Sequence, residues 1–493
     1  MRAVVPGLVC LLAGAALPLG LAPFELWPLT LVAPALLFWR TVWTGPRSAF
    51  VLGWWFGVGK YAVGASWVYV SIHRHGGASP LLAGTLVSLF VVFLALLPAF
   101  QAWVFTRFLV RGSFLRDAVA FAASFVLLDW MLTWFLTGFP WLYVGYGHLD
   151  TQLRHWAPVG GVHLVSFMAV LSGCAVAAGI VTRRPKERLA ALIVALLPWV
   201  GGALLSVPSW VEPAGRGTAA LVQGNVPQEV KWNPDSVGPT LEKYARLSDP
   251  LWGRDLVIWP EAAVTLFAHQ APGFLDTMAR RARAEDSTLV LGIPAYERLP
   301  DGEDVFFNTA IAIGAGSGRY MKQRLVPFGE YVPFEDRLRG LIEFFDLPMS
   351  RAAPGPDGQP LLIAKGWRLA MAICYEVVYP GLVRESAREA DLLVTLSNDT
   401  WFGRSIGPLQ HMQMARMRAL ENGRWLLRAT NNGVTAIVDH RGRITERIPQ
   451  FETAVLDGAF EVMTGTTPFN HFGGSPVVWT LAGVCALCAW RRR

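Results

Sequence analysis

Seven apolar runs, each about as long as the hydrocarbon core of a bilayer is thick, crowd the first 210 residues. They cover about residues 3–20, 22–39, 48–70, 81–106, 117–136, 158–181 and 189–208, and a shorter eighth run follows at 475–490. A helix that crosses a membrane needs about 20 consecutive apolar residues, so these runs predict eight membrane spans. Arg2 ahead of the first run resembles the start of a signal peptide, but six further runs precede the polar block, and the first is read as an uncleaved anchor. A single large soluble core is a poor alternative, since 21 Trp and 28 Phe need burial. With 53% of its residues hydrophobic and 16% charged, the chain also lacks the balance that leaves a polypeptide disordered.

The formal net charge of +7 admits two kinds of partner, nucleic acid or a membrane surface. Its distribution decides between them. Residues 211–470 carry 27 Lys and Arg against 31 Asp and Glu, while the remainder carries 16 against 5. The positive excess therefore lies in the hydrophobic flanks, which excludes a nucleic-acid surface and fits short basic loops between spans. With the N-terminus in the cytoplasm, that side carries Arg2, Arg40, Arg47, Arg107, Arg111, Arg116, Arg183, Arg184, Lys186, Arg188 and Arg491–Arg493, and the short loops of the other side carry only Arg74 and Arg154. This asymmetry predicts an extracytoplasmic block and cytoplasmic termini. Three domains follow: residues 1–210 as seven spans, 211–470 as a polar block, and 471–493 as the last span with its basic tail.

The block reads as α/β. Runs rich in β-formers recur at Ala219–Gln223, Leu256–Trp259, Leu289–Ile293, Thr309–Ile313, Leu369–Cys374, Leu392–Leu396, Leu426–Thr430 and Val434–Val438. Amphipathic stretches at Leu241–Leu247, Gly273–Ala284, Gly381–Ala390 and Pro408–Asn422 fall between them, and such alternation predicts one layered α/β domain. Gly314–Gly318 precedes no helical pattern and is read as a turn, not a phosphate loop.

Cys10, Cys174, Cys485 and Cys488 lie in the apolar runs and read as small hydrophobes. Cys374 is alone in the block, either buried filler or a reactive thiol. Three polar residues stand at the ends of predicted strands: Glu261 in IWPEAA, Lys322 in YMKQRLVPFGEYVP and Cys374 in MAICYE. Strand ends are where α/β domains gather their sites. A thiol reacts as thiolate, a carboxylate can take its proton, and an ammonium can stabilise the oxyanion left by attack on a carbonyl. No His/Cys cluster has metal spacing, and neither metal nor cofactor is called for.

In that order and context, Glu261, Lys322 and Cys374 resemble the Glu-Lys-Cys triad of the nitrilase (carbon–nitrogen hydrolase) superfamily. With RLVPFGEYVP, AICYE, SNDTWFG and QMARMRALENGRWLLRATNNG, and with GLAPFELWPL and SWVYVSI among the apolar runs, the whole chain resembles the apolipoprotein N-acyltransferase family. The resemblance implies an αββα sandwich carried on a polytopic helical membrane scaffold in a bacterial inner membrane. It implies ping-pong transfer of an acyl chain from a phospholipid, through a Cys374 thioester, to the amine of a diacylglyceryl apolipoprotein, by a monomer. Glu330 would orient Lys322, Tyr375 and Glu376 would support the nucleophile, and Trp232, Asn308 and Trp401 match positions near the substrate.

Taken singly, Glu261 could cap a helix, Lys322 could be a surface lysine, Glu330 could close a turn, Asn308 could bond backbone, Tyr375 and Glu376 could be an ordinary strand end, and the tryptophans could be core. The ordered set outweighs these readings. A membrane-anchored amidase or nitrilase-type hydrolase shares the triad and stands as the alternative; a catalytically dead lipid-binding or transport module is disfavoured by the intact triad. Tyr146, in the aromatic stretch Gly138–Tyr146, is expected either to line the substrate route or to belong to an aromatic belt. The apolar loops Phe334–Pro348 and Trp401–Pro408 are expected as lids. Lys60 and Asp129 fall inside spans; Lys60 is expected to snorkel to an interface.

Overall fold

The computed structural model describes residues 4–298, 302, 304–333 and 351–490, so the expected lid at 334–348 and the basic tail at 491–493 lie outside the described residues. The chain forms two compact units. One comprises Met1–Tyr69, Pro80–Ser209 and His471–Arg493, and the other comprises Val70–Ser79 and Trp210–Asn470.

The first unit is helical. Helices lie on all of the apolar runs: Val4–Ala16, Pro28–Thr41, Pro46–Gly64, Pro80–Leu94 with Leu96–Val104, Phe114–Met131, Ala157–Val181, Pro185–Leu205 and Ser475–Trp490. Among the described residues three helical stretches, Pro80–Leu109, Gln152–Val181 and Pro185–Leu205, are long and apolar enough to cross a membrane. Leu81, Leu89, Leu197, Leu204 and Leu487 are exposed, a surface that suits hydrocarbon and not water. Inside the unit, Lys60 donates to Asp129 Oδ1 at 3.1 Å. Lys60 therefore does not snorkel: its side chain is 1% exposed and stays within the unit, because a carboxylate on another helix meets it there. Tyr143 and Tyr146 are buried and stacked with ring centroids 5.7 Å apart, so Tyr146 is packed interior and not part of an exposed belt.

The second unit is a sandwich of two six-stranded sheets. The first has the order β12-β1-β2-β3-β4-β5, from Val211–Gln223 (β1), Leu256–Ile258 (β2), Thr288–Arg298 (β3), Asp304–Gly314 (β4), Arg319–Met321 (β5) and Ala454–Gly465 (β12). The second has the order β11-β10-β9-β8-β7-β6, from Leu362–Ala364 (β6), Trp367–Ile373 (β7), Leu392–Ser397 (β8), Leu426–Thr430 (β9), Ala436–Val438 (β10) and Ile444–Arg447 (β11). Each sheet has three parallel strands, β1-β2-β3 and β7-β8-β9, flanked by antiparallel ones.

Alternation along the strands builds the layers. Ala219 and Leu221 of β1 join Ile258, Met371, Val394 and Leu427 in the core between the sheets. Their neighbours Ala220 and Val222 face outward, with Val257 and Leu291, onto Tyr244, Met278 and Ala282 of the helices Pro234–Ser248 and Pro272–Ala284. Helices Pro380–Ala387 and Gly407–Asn422 pack on β7 and β9 of the second sheet. Gly314–Gly318 is the turn between the antiparallel β4 and β5. All four expected helices and the eight expected strands are present. The strands β5, β6, β11 and β12 are additions.

The buried pair in the helical unit gives a direct test. Losing one member of a buried ion pair strands the other charge, at a cost of roughly 3–5 kcal/mol, whereas apolar replacement of both is often neutral. Lys60→Met should therefore lower the melting temperature in detergent clearly more than the double variant Lys60→Met/Asp129→Leu.

Candidate active site

Three of the parallel strands end at one patch of the sandwich unit, and the chain leaving each carries a polar side chain inward. Glu261 follows β2, Cys374 follows β7, and Ser397 to Asp399 end and follow β8. Lys322 immediately follows β5, its amide donating to Asn308 O of β4 at 2.8 Å.

The Glu261 carboxylate is buried, and both of its oxygens are hydrogen-bonded. Its Oε1 accepts from Asn308 Nδ2 at 2.7 Å and Lys322 Nζ at 3.2 Å, and its Oε2 accepts from the Asn398 amide at 2.8 Å. Lys322 Nζ also donates to Glu330 Oε1 at 2.8 Å. Glu330 is held in turn by Asn308 Nδ2 at 3.1 Å and by the Val326 amide at 2.8 Å. Glu261, Lys322, Glu330 and Asn308 thus form one cluster.

Electrostatics follow from these contacts. Burial pushes Glu261 up, but Lys322 and Lys231 more than reverse it, and its carboxyl stays below the usual range. Burial pushes Lys322 down; Glu261 and Glu330 overcome this and hold its ammonium above the ordinary value. The Cys374 thiol is raised by burial and further by Glu261, with Lys322 opposing. The resting set is therefore carboxylate, ammonium and thiol. A thiol in that state needs a base in the site to become a nucleophile.

Cys374 has φ +54°, a left-handed conformation that a side-chain-bearing residue adopts only when its surroundings impose it. Two braces do so. Glu376, fully buried, accepts from the Ile373 amide at 2.7 Å, from the Gln323 and Arg324 amides at 2.6 and 3.1 Å, and from Tyr320 Oη at 2.9 Å. It thereby ties the Cys374 turn to the segment carrying Lys322; burial raises its own carboxyl to about 7 against those donors. On the other side, His411 Nε2 lies 3.1 Å from the Cys374 carbonyl. A carbonyl only accepts, so Nε2 carries the hydrogen. Nδ1 lies 3.0 Å from Arg428 Nη2 and 3.1 Å from Asp399 Oδ1, and Arg428 Nη2 donates to Asp399 Oδ2 at 2.9 Å.

The other expected residues are arranged less tightly. Tyr375 is buried with its ring edge-on to Tyr379. Trp232, half-buried, caps the short helix Gln228–Lys231. Trp401 accepts from Ser71 Oγ at 2.8 Å through its carbonyl, and its ring meets His75 edge-on. Tyr146 belongs to the helical unit.

Sequence reasoning missed Lys231, Asn398, Asp399, His411 and Arg428. Asn398 and Asp399 stand at the end of an apolar β-run, the same signal that marked Glu261 and Cys374. His411 lies in a helix whose polar residues Gln410, Gln413, Arg418 and Glu421 are all buried, which pattern reading takes for a solvated face.

Residues 218–467 match the model of the carbon–nitrogen hydrolase family, and residues 13–175 match that of the apolipoprotein N-acyltransferase N-terminal domain. The sandwich with a carboxylate, an ammonium and a thiol at its strand ends is thus a catalytic unit of the nitrilase type. Among solved structures, it is similar to an amidase of the nitrilase superfamily from Nesterenkonia (19% identity over 55% of this chain and 99% of that one, TM-score 0.39). Along its full length, the chain is similar to the apolipoprotein N-acyltransferases of Azotobacter vinelandii (49% identity, 98% of this chain and 94% of the relative) and Pseudomonas aeruginosa (47%, 98% and 94%). That of Vibrio parahaemolyticus is 40% identical over 97% of this chain and 96% of its own. The chain belongs to the apolipoprotein N-acyltransferase family, and it is an acyltransferase.

One glycine controls where Glu261 stands. A Cβ on Gly292 of β3 would lie 2.5 Å from Ala262 N, 2.6 Å from Pro260 O and 2.7 Å from Glu261 Cα. All three are backbone atoms of the turn that carries the carboxylate, so none can swing aside. Gly292→Ala should displace Glu261 and slow acyl transfer by about 100-fold or more, the usual result of an ångström's misplacement. Overpacking should lower stability by only about 1–3 kcal/mol. Acylation rates and melting curves of the same preparation check both.

Proposed function

We propose that this chain moves a fatty acyl group from a membrane phospholipid, through a thioester on Cys374, to the α-amine of the N-terminal diacylglyceryl-cysteine of a lipoprotein. The observation that carries the chemistry is the buried Glu261 carboxylate in contact with Lys322, both acting electrostatically on the Cys374 thiol.

In the first half-reaction Glu261 takes the Cys374 proton, and the sulfur attacks an ester carbonyl carbon of the phospholipid. The Lys322 ammonium stabilises the tetrahedral oxyanion. The carbon–oxygen bond to glycerol breaks, the glycerol oxygen takes the proton from Glu261, and a lysophospholipid leaves. In the second half the acceptor amine attacks the thioester, Glu261 takes a proton from its nitrogen, the carbon–sulfur bond breaks, and the proton returns to sulfur. One carboxylate serves both halves because it is ionised at the start of each. Glu330 orients Lys322, and Glu376 and Tyr375 hold the nucleophile's turn. Trp232, Asn308 and Trp401 are proposed to contact substrate in the sandwich unit, and Tyr146 separately in the helical unit; Asn308 would do so while fixing both carboxylates.

Both substrates are lipids, and withdrawing an acyl chain into water costs about 0.8 kcal/mol per methylene. A membrane scaffold removes that cost. We extend the proposal to eight spans, seven in residues 1–210 and one in 471–493, around an extracytoplasmic domain at 211–470, in a monomer of the bacterial inner membrane with cytoplasmic termini. The Lys and Arg asymmetry of the short loops supports that orientation.

Mass spectrometry of the purified protein with phospholipid should show a fatty acyl adduct on Cys374. A diacylated peptide with a free N-terminus should discharge it, and neither water nor the N-acetylated peptide should. Glu261→Gln should slow adduct formation by about 10²–10⁴-fold. An adduct that water discharges as fast as the peptide would convert the reading to a hydrolase.

A further inference from the structure

A second lysine lies inside the site. Lys231 ends the one-turn helix Gln228–Lys231, which follows β1. That turn closes on itself, the Lys231 amide donating to Pro227 O at 3.0 Å, and is moored by Gln228 Oε1, which accepts from Asn398 Nδ2 at 2.9 Å. The Lys231 side chain runs inward, is 2% exposed, and donates from Nζ to the main-chain carbonyl of Glu261 at 3.1 Å. A glutamine could make that bond without a buried charge. Burying an ammonium is expensive unless opposite charge compensates it, and one neutral carbonyl is poor compensation. What compensates Lys231 is first the Glu261 carboxylate, and Cys374 adds to it once the sulfur is ionised; both pull its proton affinity back up against burial.

The cluster of Glu261, Glu330, Lys322 and Lys231 then balances, while Asp399 is answered separately by Arg428. Glu261 and Glu330 supply two negative charges, and Lys322 and Lys231 two positive ones. Moving the thiol proton to Glu261 shifts a negative charge onto sulfur and leaves the sum unchanged. Without Lys231 the same step would occur in a buried site with one uncompensated negative charge. The other groups facing the thiol do not replace it: Asp399 is negative and raises the thiol, and Ser397 is neutral. Glu376 spends its oxygens on backbone amides and Tyr320. His411 reaches Cys374 at its carbonyl.

We propose that Lys231 is the counter-charge that allows Cys374 to ionise, a positioning residue that acts through Glu261 and the nucleophile without contacting the acyl group. The inference rests on Cys374 being the nucleophile, as proposed above. Burial lowers Lys231 to about 8, so the counter-charge itself titrates near neutrality.

The test is the rate of Cys374 alkylation by iodoacetamide as a function of pH, on the full-length protein in detergent, for wild type and Lys231→Gln. Glutamine keeps a donor for the Glu261 carbonyl and removes the charge. The expected result is a Lys231→Gln curve displaced by about one unit to higher pH, or about tenfold slower at any fixed pH below the midpoint. In wild type the rise should flatten above about pH 8, as Lys231 loses its proton, and the variant should lack that break. Acylation by phospholipid should lose kcat with KM unchanged. Superimposable alkylation curves, or a raised KM with unaltered alkylation, would overturn the inference. Should Lys231→Gln fail to match the wild-type melting temperature, Lys231→Arg takes its place. It keeps the charge and is expected to keep the wild-type pH position, and an upward displacement there refutes the idea. Alkylation needs no lipid, so a wild-type protein that alkylates normally yet never takes an acyl chain would sink the proposed reaction and leave this inference standing.

Discussion

A carboxylate removed from water must be met by donors on both of its oxygens, or it will not stay ionised. Glu261 meets that condition with groups from three separate stretches of chain: Asn308 in β4, Lys322 beyond β5, and the Asn398 amide beyond β8. The third belongs to the opposite sheet. The carboxylate is therefore a chemical group and also the pin at which the two sheets meet. Displacement of any partner reaches the others through it. The strained turn at Cys374 stands on the same logic, since its left-handed backbone persists because Glu376 and His411 hold it from two sides.

Much of this fold is legible in the sequence because the parallel strands are buried on both faces. Leu256–Ile258, Leu289–Leu291, Leu392–Val394 and Leu426–Leu427 form short unbroken apolar runs, and such runs announce themselves. The strands that escape notice do so for physical reasons. β5 and β6 are three residues each, too short for any period. β12, with Asp457, Gly458 and Glu461, is half-exposed at a sheet edge, and its membership is decided by a partner at the far end of the block. In the helical unit, the apolar runs reveal where helices form but not that Lys60 and Asp129 meet, because their pairing depends on how two helices rotate against each other.

The same division holds at the site. Glu261, Lys322 and Cys374 stand beside strand ends in distinctive contexts, so order and neighbourhood reveal them. Lys231 does not. Between Val230 and Trp232 it looks like any surface lysine, and only the mooring of its turn to Asn398 directs it inward. Asp399, His411 and Arg428 are individually unremarkable polar residues on a turn, a helix and a strand. Their joint meaning is a buried charge network, and networks have no linear signature.

The pairing of β1 with β12 brings Val211 opposite Gly465, so the chain enters and leaves the block side by side. This is the geometry of an inserted cassette, and it has a temporal consequence. During synthesis β1 emerges first and can pair with β2 early, but its other edge stays open until the last strand has been made. Closure of the first sheet is thus a late, long-range event of the kind that folds slowly and leaves a strand edge available for mispairing meanwhile. A ribosome that stops short of Ala454 would release a block whose polar residues can be near their places while its oldest edge remains sticky. Quality control of this chain should therefore turn on whether that final strand arrives.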